Sequence, residues 1–323
     1  MQLQHLRTFV RVVDLGGVTR AAEQLALTQP AVTKQLAALE RDLGAPLIWR
    51  QRRRLRLTPA GELLYAYARR ILNLADQAEQ AVRTLQQEGH GEVRLGAVAT
   101  VGLTVLPRIL AHFSGRHPAV RVRVVMGEIH ENLERLLRGD LELAVLTMPV
   151  AHPRVASVPL FRDPVRLVAA PQTAAKLPRP LSLTDLASLD HISYQTPSRF
   201  RAYVDGMLEQ HGVLPRVLME FNSHEAVKSI VALGLGVAWM PESVVADDVA
   251  QGRLEVLEVR GMAEMVRVTS LAVPTDGHRT PPLAALLDTF RELFGLAWSD
   301  FPAWARPSGE PRGDHTDAGT ARA

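Results

Sequence analysis

The spacing of apolar residues through the first 44 positions predicts three short helices. Apolar side chains recur at i, i+3, i+4 and i+7 from Leu6 onwards, which marks one face of a helix that ends at Gly16. Thr19 is the expected N-cap of a second helix and Thr28 that of a third, with Pro30 tolerated in its first turn. Two short helices joined by a tight turn are typical of a helix-turn-helix, whose second helix presents its N-terminal residues to base edges.

A basic run after the third helix predicts the tip of a wing. Residues 47–48 and 55–57 are short apolar segments, and we expect them to pair as strands with the arginines between them. A polar helix start beside a flexible arginine cluster suits the two grooves of a DNA duplex. The expected major-groove residues are Gln29, Pro30, Ala31, Thr33 and Lys34, the expected phosphate contacts are Thr28 and Arg50, and the expected minor-groove or backbone contacts are Arg52, Arg53 and Arg54.

The charge distribution agrees with a DNA-binding domain over residues 1–58. Residues 1–57 contain ten Lys and Arg against four Asp and Glu, a net charge of +6, whereas the whole 323-residue chain carries only +3. A basic head on a slightly acidic body is the electrostatic footprint of a nucleic-acid-binding protein. An arginine run alone is as easily a solvated surface, so its position beside the helix-turn-helix is what favours DNA.

A heptad pattern follows the wing and predicts a long linker helix over residues 59–90. Thr58 is its expected cap and Pro59 its first residue, and at ~1.5 Å per residue the helix is roughly 40 Å long. Because a single helix cannot bury such a seam, the seam packs either on a second copy or on the chain's own C-terminal body. We favour a homodimer, with a seam made of Leu64, Tyr67, Ile71, Leu74, Ala78 and Leu85.

From residue 91 onwards, strand-like segments alternate with helical ones. Apolar runs at residues 93–98, 120–126 and 141–146 are separated by helical patterns, and the alternation resumes at residue 165. This order is typical of α/β layers over a largely parallel sheet. The predicted fold class is therefore α+β in two parts: an α-rich winged helix-turn-helix with its linker helix, then an α/β domain over residues 91–300. Residues 301–323 are rich in Pro, Gly, Asp and Arg, and we expect a disordered tail there.

The run from Leu6 to Gly61 resembles the DNA-binding domain of LysR-type transcriptional regulators. The residues that carry the resemblance are Phe9, Val13, Ala21, Ala22, Leu25, residues 29–32, Leu39, Glu40, Leu43, Gly44, Leu47, Arg50 and residues 57–61. Thr28 and Thr33 stand where the family usually has Ser, and the change keeps the hydroxyl. The resemblance extends to about residue 296, although it is strongest in the first 61 residues.

This resemblance implies an architecture and a mode of action. The linker helix would be an antiparallel dimer coil, in a homodimer or in a homotetramer built as a dimer of dimers. The C-terminal part would be a two-lobed effector domain similar to type 2 periplasmic binding proteins, with lobe I at about 91–161 and 266–300 and lobe II at about 162–265. The protein would bind double-stranded promoter DNA in response to a small-molecule effector, with RNA polymerase as a further partner if it activates transcription. The sequence leaves activation and repression equally open.

Strand ends and helix starts in the α/β part supply the candidate effector site. Open α/β sheets bind ligands where strands end and helices begin, and helix N-termini there favour anions. Ordinary helix capping is the more common role for any one such hydroxyl, so only their convergence supports a ligand site. The expected contacts, in the place where the family holds its inducer, are Thr100, Val101, Thr147, Tyr194, Gln195 and Ser223. We expect the effector to be an organic or inorganic anion, and we expect no cofactor.

Composition excludes several other classes of protein. Cys is absent, which removes disulfides and thiolate metal sites. The chain opens without a signal-peptide pattern, and no apolar run approaches the ~18 residues of a membrane span, so we expect a cytoplasmic protein. His130 and Glu131 do not continue as the zinc motif H-E-x-x-H because Glu134 takes the final position, and the chain has no nucleophile elbow or phosphate loop. We therefore expect no enzyme.

Two other interpretations remain open at this stage. A solute-binding protein would account for two α/β lobes, but it needs an export signal and has no use for a basic head. An effector-independent or nucleoid-type DNA binder would account for the head, but it leaves the lobes without a role. Competition between target and random DNA distinguishes such a binder from a sequence-specific regulator.

Overall fold

The computed structural model describes residues 1–49, 55–85, 91–147 and 150–307. Its N-terminal head consists of α1 (Leu3–Asp14), α2 (Val18–Gln24) and α3 (Gln29–Leu43), followed by the long helix α4 (Pro59–Leu85). The apolar faces of all four helices meet in one core, whose most deeply buried members include Leu6, Phe9, Val32, Leu39 and Ala68. The α-rich head predicted from the sequence is confirmed.

The turn between α2 and α3 fixes where the second helix of the motif begins. Ala26 takes the left-handed conformation (φ 52°), and the hydroxyl of Thr28 then caps α3 by accepting the backbone N–H of Ala31 at 3.3 Å. The expected cap at Thr19 is wrong. Because Gly17 already has an extended backbone at the N-cap position, α2 begins at Val18 and Thr19 lies in its first turn.

The wing is a short antiparallel pairing directly before α4. Ile48 bridges Leu57, and the backbone N–H of Trp49 donates to the carbonyl of Arg56 at 2.9 Å. Arg50, Arg52, Arg53 and Arg54, at the expected wing tip, lie outside the described residues.

Thr58 joins the wing to α4. Its hydroxyl donates to the carbonyl of Pro46 at 2.6 Å and accepts the backbone N–H of Gly61 at 3.0 Å, so it caps α4. Gly61 lies against the wing so closely that a Cβ there would stand 2.1 Å from the carbonyl oxygen of Leu47. Only glycine therefore fits at this contact.

Two faces of α4 have different surroundings. Ala68 and Leu72 are buried in the head core, with Leu64 and Ile71 packed partly against it. The exposed large apolar residues on the helix are Leu63, Tyr67, Leu74 and Val82. The expected dimer seam is thus divided, because Leu64 and Ile71 already contact the chain's own head whereas Tyr67, Leu74 and Ala78 are exposed. The side chain of Leu85 is outside the described set.

The C-terminal part contains nine strands and nine helices in the described ranges. In chain order these are β1 (Gly91–Ala97), α5 (Ala99–Thr104), α6 (Leu106–Arg116), β2 (Val120–Met126), α7 (Ile129–Arg138), β3 (Leu143–Thr147), β4 (Val155–Ala169), α8 (Pro171–Ala174), α9 (Leu183–Ser188), β5 (Asp190–Tyr194), α10 (Arg199–Gln210), β6 (Arg216–Phe221), α11 (His224–Ala232), β7 (Val237–Pro241), α12 (Glu242–Ala250), β8 (Glu255–Leu257), β9 (Val266–Pro274) and α13 (Pro281–Phe294).

These strands form two lobes that share the long strand β4. In lobe I the order is β2-β1-β3-β9-β4, with β1 parallel to β2 and β3 and with β9 antiparallel to its neighbours. In lobe II the order is β4-β7-β5-β6, with β8 also paired to β4. The partner of β4 changes from β9 to β7 between Pro164 and Val165, where the chain passes from lobe I to lobe II.

Each lobe has its own apolar core, and lobe I extends further along the chain than expected. Residues 301–307 are not part of a disordered tail, because Phe301 and Ala305 are buried in the lobe I core and the indole N–H of Trp304 donates to the carbonyl of Pro274 at 2.7 Å. Lobe II buries residues on both faces of its sheet, against α9 and α10 on one face and α11 and α12 on the other. Residues 308–323 lie outside the described ranges.

Candidate DNA interface and effector site

The N-terminal part of α3 presents a polar surface away from the head core. Val32 and Leu36 are buried, whereas Gln29, Thr33 and Lys34 are exposed. This division follows from helical spacing, because residues four apart lie on one face. The side chains of Thr33 and Lys34 form no hydrogen bond or ion pair with another residue in the described ranges, so their polar groups are available to a ligand.

Gln29 is held in place by the neighbouring helix. Its Nε2 donates to the hydroxyl of Thr19 at 2.9 Å, so Thr19 contributes to the surface although it caps nothing. This bond leaves the second N–H and the carbonyl oxygen of Gln29 free, the two groups with which a glutamine reads adenine in the major groove. Thr28 accepts a capping hydrogen bond, and its own hydroxyl proton stays available to a phosphate.

Three residues beside this surface were not singled out from the sequence. Arg20 is exposed on α2, and Trp49 and Arg56 are exposed at the base of the wing. Arg56 belongs to the basic run, but only the strand pairing shows that it sits opposite Trp49 rather than at the tip. The described part of the candidate DNA interface thus contains two cations, Arg20 from α2 and Arg56 from the wing, besides Lys34.

The six expected effector contacts divide between the two lobes. Thr100 and Val101 lie on α5 and Thr147 ends β3, whereas Tyr194 ends β5 and Gln195 and Ser223 precede helices of lobe II. Helix α5 contacts α12 of lobe II, so this end of lobe I faces the other lobe. No hydrogen bond in the described ranges joins the three residues of one lobe to the three of the other. The side chain of Val101 packs in the lobe I core, which leaves only its backbone for a ligand.

A buried ion pair that the sequence reading missed lies where the chain crosses between the lobes. Asp163 and Arg267 are directly opposite each other in the β4–β9 pairing, and Nη2 of Arg267 lies 2.8 Å from Oδ2 of Asp163. The two side chains are only 2% and 3% exposed. The same carboxylate accepts the backbone N–H of Ser243 at 3.0 Å and its hydroxyl at 2.7 Å, at the start of α12. One charge pair therefore connects both crossing strands to a helix of lobe II.

An aromatic cluster connects this ion pair to Tyr194. The guanidinium of Arg267 lies 5.8 Å from the ring centre of Phe200, and the Phe200 ring contacts both Tyr194 and His224 edge-on. The hydroxyl of Tyr194 and Nδ1 of His224 are 2.7 Å apart. Burial, with a smaller contribution from the positive charge of Arg267, lowers the pKa of His224 to about 3. Burial also raises the pKa of Tyr194, so the pair is neutral at physiological pH.

Two threonine hydroxyls lie side by side on the lobe I sheet. Thr147 pairs with Thr269 across β3 and β9, and Thr269 lies on the same face of β9 as Arg267, two residues away. Thr269 is fully buried, and its hydroxyl has no hydrogen-bond partner within the described ranges. The sequence offered one signal for Arg267 and Thr269. It is a single charged residue within a strand, VRVTSLAV, that is otherwise apolar or hydroxyl-bearing.

The described residues contain neither a candidate metal site nor a helix that could span a membrane. No group of three or more His, Asp or Glu side chains among them could hold a metal ion. No helix within the described ranges is long and apolar enough to cross a membrane.

Comparisons with known proteins agree over nearly the whole chain. Residues 3–62 match the family model described as a bacterial regulatory helix-turn-helix protein of the lysR family, and residues 86–295 match the LysR substrate binding domain. The chain is 32% identical to the HTH-type transcriptional regulator CbbR of Xanthobacter flavus, over 92% of this chain and 89% of that one. It is 29% identical to the HTH-type transcriptional regulator GltR of Bacillus subtilis, over 93% and 99% of the two chains. The crystal structure of full-length CbnR complexed with its target DNA superposes with a TM-score of 0.65 at 25% identity, covering 90% of this chain and 99% of that one.

Proposed function

The chain belongs to the LysR family of transcriptional regulators, and from this we propose that its control of promoters depends on a small anion held between its two lobes. It is a DNA-binding regulator with an effector-type C-terminal domain, and not an enzyme.

On the DNA side, α3 enters the major groove with Gln29, Pro30, Ala31, Thr33 and Lys34 toward the bases. The fixed position of Gln29 supports this assignment, because a side chain already held by Thr19 loses little rotamer freedom on binding. Thr28 donates its free hydroxyl proton to a phosphate. The wing arginines, Arg50 and Arg52 to Arg54, supply backbone or minor-groove contacts, which a narrow A·T-rich groove would attract most strongly.

The observation that carries the effector assignment is the buried Arg267 beside Tyr194 and His224. The guanidinium of Arg267 is buried, and it lies 5.8 Å from the ring centre of Phe200, whose ring contacts both Tyr194 and His224. A positive potential at a neutral imidazole and phenol favours an anionic ligand there. Ser223 is the N-cap residue of the nine-residue helix α11, and its exposed hydroxyl makes no capping bond, so it is available to the same anion.

The lobe I side of the site supplies hydroxyls in place of charge. Thr100 and Thr147 are buried, and Thr269 adds a third hydroxyl whose hydrogen bond is unmade. An unpaired buried hydroxyl costs about 1–3 kcal/mol, a cost that a ligand oxygen would remove. We therefore assign the anion to Ser223, Tyr194 and Gln195 from lobe II and to Thr100, Thr147 and the Val101 backbone from lobe I.

The exposed stripe of α4 supports a homodimer. Tyr67 and Leu74 are one heptad apart, and Leu63, Ala78 and Val82 continue the same apolar face along the helix. A second α4 would cover this stripe, and a two-fold axis through it would place two heads on a symmetric DNA site. Further association of two dimers would give a tetramer.

A polar junction connects α4 to both the head and lobe I. Arg69 donates to both carboxylate oxygens of Asp140 at 2.7 and 2.8 Å, and Tyr65 donates to Asp14 at the end of α1. Asn73 donates to the carbonyl of Arg138 at 2.8 Å. When the lobes close on the anion, lobe I moves with Asp140, and the junction passes that movement to α4 and the heads.

Calorimetry on the full-length protein tests the effector site. The titrants are a panel of small mono- and dicarboxylates with phosphate and sulfate, against wild type, Thr100→Ala and Ser223→Ala. We expect at least one anion to bind, and either substitution to weaken it about tenfold, which corresponds to ~1.4 kcal/mol. Ser229→Ala, on the exposed face of α11, is the matched control and should bind like wild type. If every affinity is unchanged in both variants, the anion is bound elsewhere.

A further inference from the structure

The outer face of the wing carries an exposed tryptophan beside an exposed arginine. Ile48 bridges Leu57, and the backbone N–H of Trp49 donates to the carbonyl of Arg56 at 2.9 Å, so Trp49 and Arg56 lie opposite each other across the two strands. Side chains alternate between the two faces of a strand. Because Ile48 and Leu57 pack on the core of the head, Trp49 and Arg56 project from the other face, into solvent.

The chain itself does not occupy these two side chains. The indole of Trp49 is 54% exposed, whereas Phe9, the other aromatic residue of the head before α4, is completely buried. Neither the indole N–H nor the guanidinium of Arg56 forms a hydrogen bond or an ion pair within the described ranges. Tryptophan and arginine are the side chains most enriched where proteins bind partners, but a single exposed apolar residue is common on any surface. The surroundings of Trp49 must therefore indicate its partner.

The charges around Trp49 favour a polyanion as that partner. Arg56 lies opposite it, four further arginines follow it in the sequence between the two strands, and residues 1–57 have a net charge of +6. The backbone of duplex DNA offers phosphates, with which guanidinium groups pair, and deoxyribose rings between the phosphates. An indole can pack on such a ring while its N–H donates to a phosphate oxygen. A tryptophan beside an arginine thus matches the repeating unit of this backbone.

We propose that Trp49 and Arg56 form a binding surface for the sugar–phosphate backbone of duplex DNA, with Arg56 on a phosphate and the indole of Trp49 on the neighbouring deoxyribose. Because backbone contacts carry no sequence information, this surface strengthens binding to every DNA sequence and fixes the orientation of the head on the duplex. The proposal rests on the head binding DNA. It does not depend on the base contacts proposed for α3 or on the interlobe anion, so it is tested with random DNA.

A salt series with the full-length protein and a labelled random-sequence duplex separates the two contacts. Arg56→Gln should weaken binding and lower the salt-dependence slope by about one unit, because one phosphate contact is lost. Trp49→Ala should weaken binding about tenfold with an unchanged slope, because an uncharged ring releases no counterions. Trp49→Phe keeps an aromatic ring without the N–H, and its affinity should lie between those of Trp49→Ala and wild type.

Two matched controls and a stability measurement exclude indirect effects. Leu3→Ala removes another exposed apolar side chain of the head, and Arg123→Gln removes an exposed arginine from β2 of lobe I. Both should bind the random duplex like wild type. Trp49→Ala should also melt like wild type, because the indole is not part of the head core. Wild-type affinity in Trp49→Ala would overturn the proposal, and so would a loss of affinity that is accompanied by a lower melting temperature.

Acrylamide quenching of tryptophan fluorescence shows directly whether DNA covers the indole. The difference between wild type and Trp49→Phe isolates the signal of Trp49 from those of the other three tryptophans. Acrylamide should quench this signal strongly in the free protein and much less when the random duplex is saturating. Quenching that DNA leaves unchanged would overturn the proposal. Weak quenching in the free protein would overturn it too, because a second copy or another part of the chain would then already cover the indole.

Discussion

Gln29, which we propose reads DNA, is held in place by one contact within the head. The hydrogen bond that Gln29 donates to the Thr19 hydroxyl fixes the amide, and it leaves free the groups with which a glutamine reads adenine. Sequence spacing alone placed Gln29 on the outer face of α3, but it assigned Thr19 to a cap. The cap position lies two residues earlier, at Gly17, whose backbone is extended, and this leaves the Thr19 hydroxyl available to Gln29.

Gln29→Ala should reduce sequence preference rather than general DNA affinity. Loss of a bidentate base contact costs on the order of 1–3 kcal/mol on the target site and nothing on random DNA. Arg53→Ala is the informative comparison, because loss of a phosphate contact weakens both kinds of DNA and lowers the salt-dependence slope by about one unit or less. Binding to target and random duplexes across a salt series measures both effects. Equal losses on the two duplexes for Gln29→Ala would refute the division of roles.

His224 gives the chain a defined sensitivity to acid. Its pKa is lowered from 6.5 to about 3 in the folded chain, so the unfolded chain binds the proton more tightly. Stability from this group is complete above pH 6.5 and declines as the pH falls toward 3, by at most about 1.4 kcal/mol per pH unit. His191, whose pKa burial also lowers, acts in the same direction.

His224→Gln should therefore make stability less dependent on pH. Urea unfolding of the full chain is measured at pH 7.5, 5.5 and 4.5 by the fluorescence of the lobe II residue Trp239 and its neighbours. The three curves give the pH dependence of the free energy of unfolding. The variant should lose less stability between the first and last pH than wild type. His130→Gln, at an exposed site on α7, should match the wild-type slope. Identical slopes for all three proteins would mean that the imidazole of His224 is not held neutral by the fold.

At the scale of elements, long periodic segments were predictable and short buried ones were not. The three head helices and α4 have clear apolar faces, α3 and α4 also have threonine caps, and each helix was found. Helix α12, with the sequence ESVVADDVA, was missed because its adjacent valines and aspartates follow no helical period. Helix α5 was missed because six residues contain less than two full turns.

The candidate effector site was only partly predictable for a related reason. Residues at strand ends and helix starts follow from α/β topology, so Thr147, Tyr194 and Ser223 could be chosen. Arg267 and Asp163 could not, because their meeting depends on the register of β4 against β9. That register joins residues 104 positions apart, and nothing local in the sequence encodes it.

The wing and α4 provide a test of an element contact. In Gly61→Ala the new Cβ would stand 2.1 Å from the carbonyl oxygen of Leu47, so the backbone must shift. We expect a loss of about 1–3 kcal/mol in the stability of the head, together with weaker binding to all DNA because the wing is displaced. Thermal unfolding and binding to a random duplex measure the two effects. Gly115→Ala, within α6 and with open space around it, should be neutral or stabilising by up to ~1 kcal/mol. A wild-type melting profile for Gly61→Ala would contradict the packing described here.

At the scale of the whole molecule, few contacts connect the head with the two lobes. Strands β4 and β9 alone carry the chain between lobes, with Asp163 and Arg267 buried at the crossing. Arg69 and Asn73 hold α4 to lobe I, and Arg70 adds an ion pair to Asp276. Because so few groups make these connections, a movement at either boundary would change how the heads are presented to DNA.

We infer that this chain recognises a particular DNA sequence rather than DNA in general. Fluorescence anisotropy with labelled DNA from upstream of its own coding sequence, at near-physiological salt and against excess random duplex, tests it most directly. We predict binding that survives a ~100-fold excess of random DNA, since specific sites typically exceed non-specific ones by 10³-fold or more. The contrary result is that random DNA displaces the target in simple proportion to the amount added, for this region and for every upstream region of the neighbouring genes. That result would contradict sequence-specific regulation and favour a nucleoid-type binder.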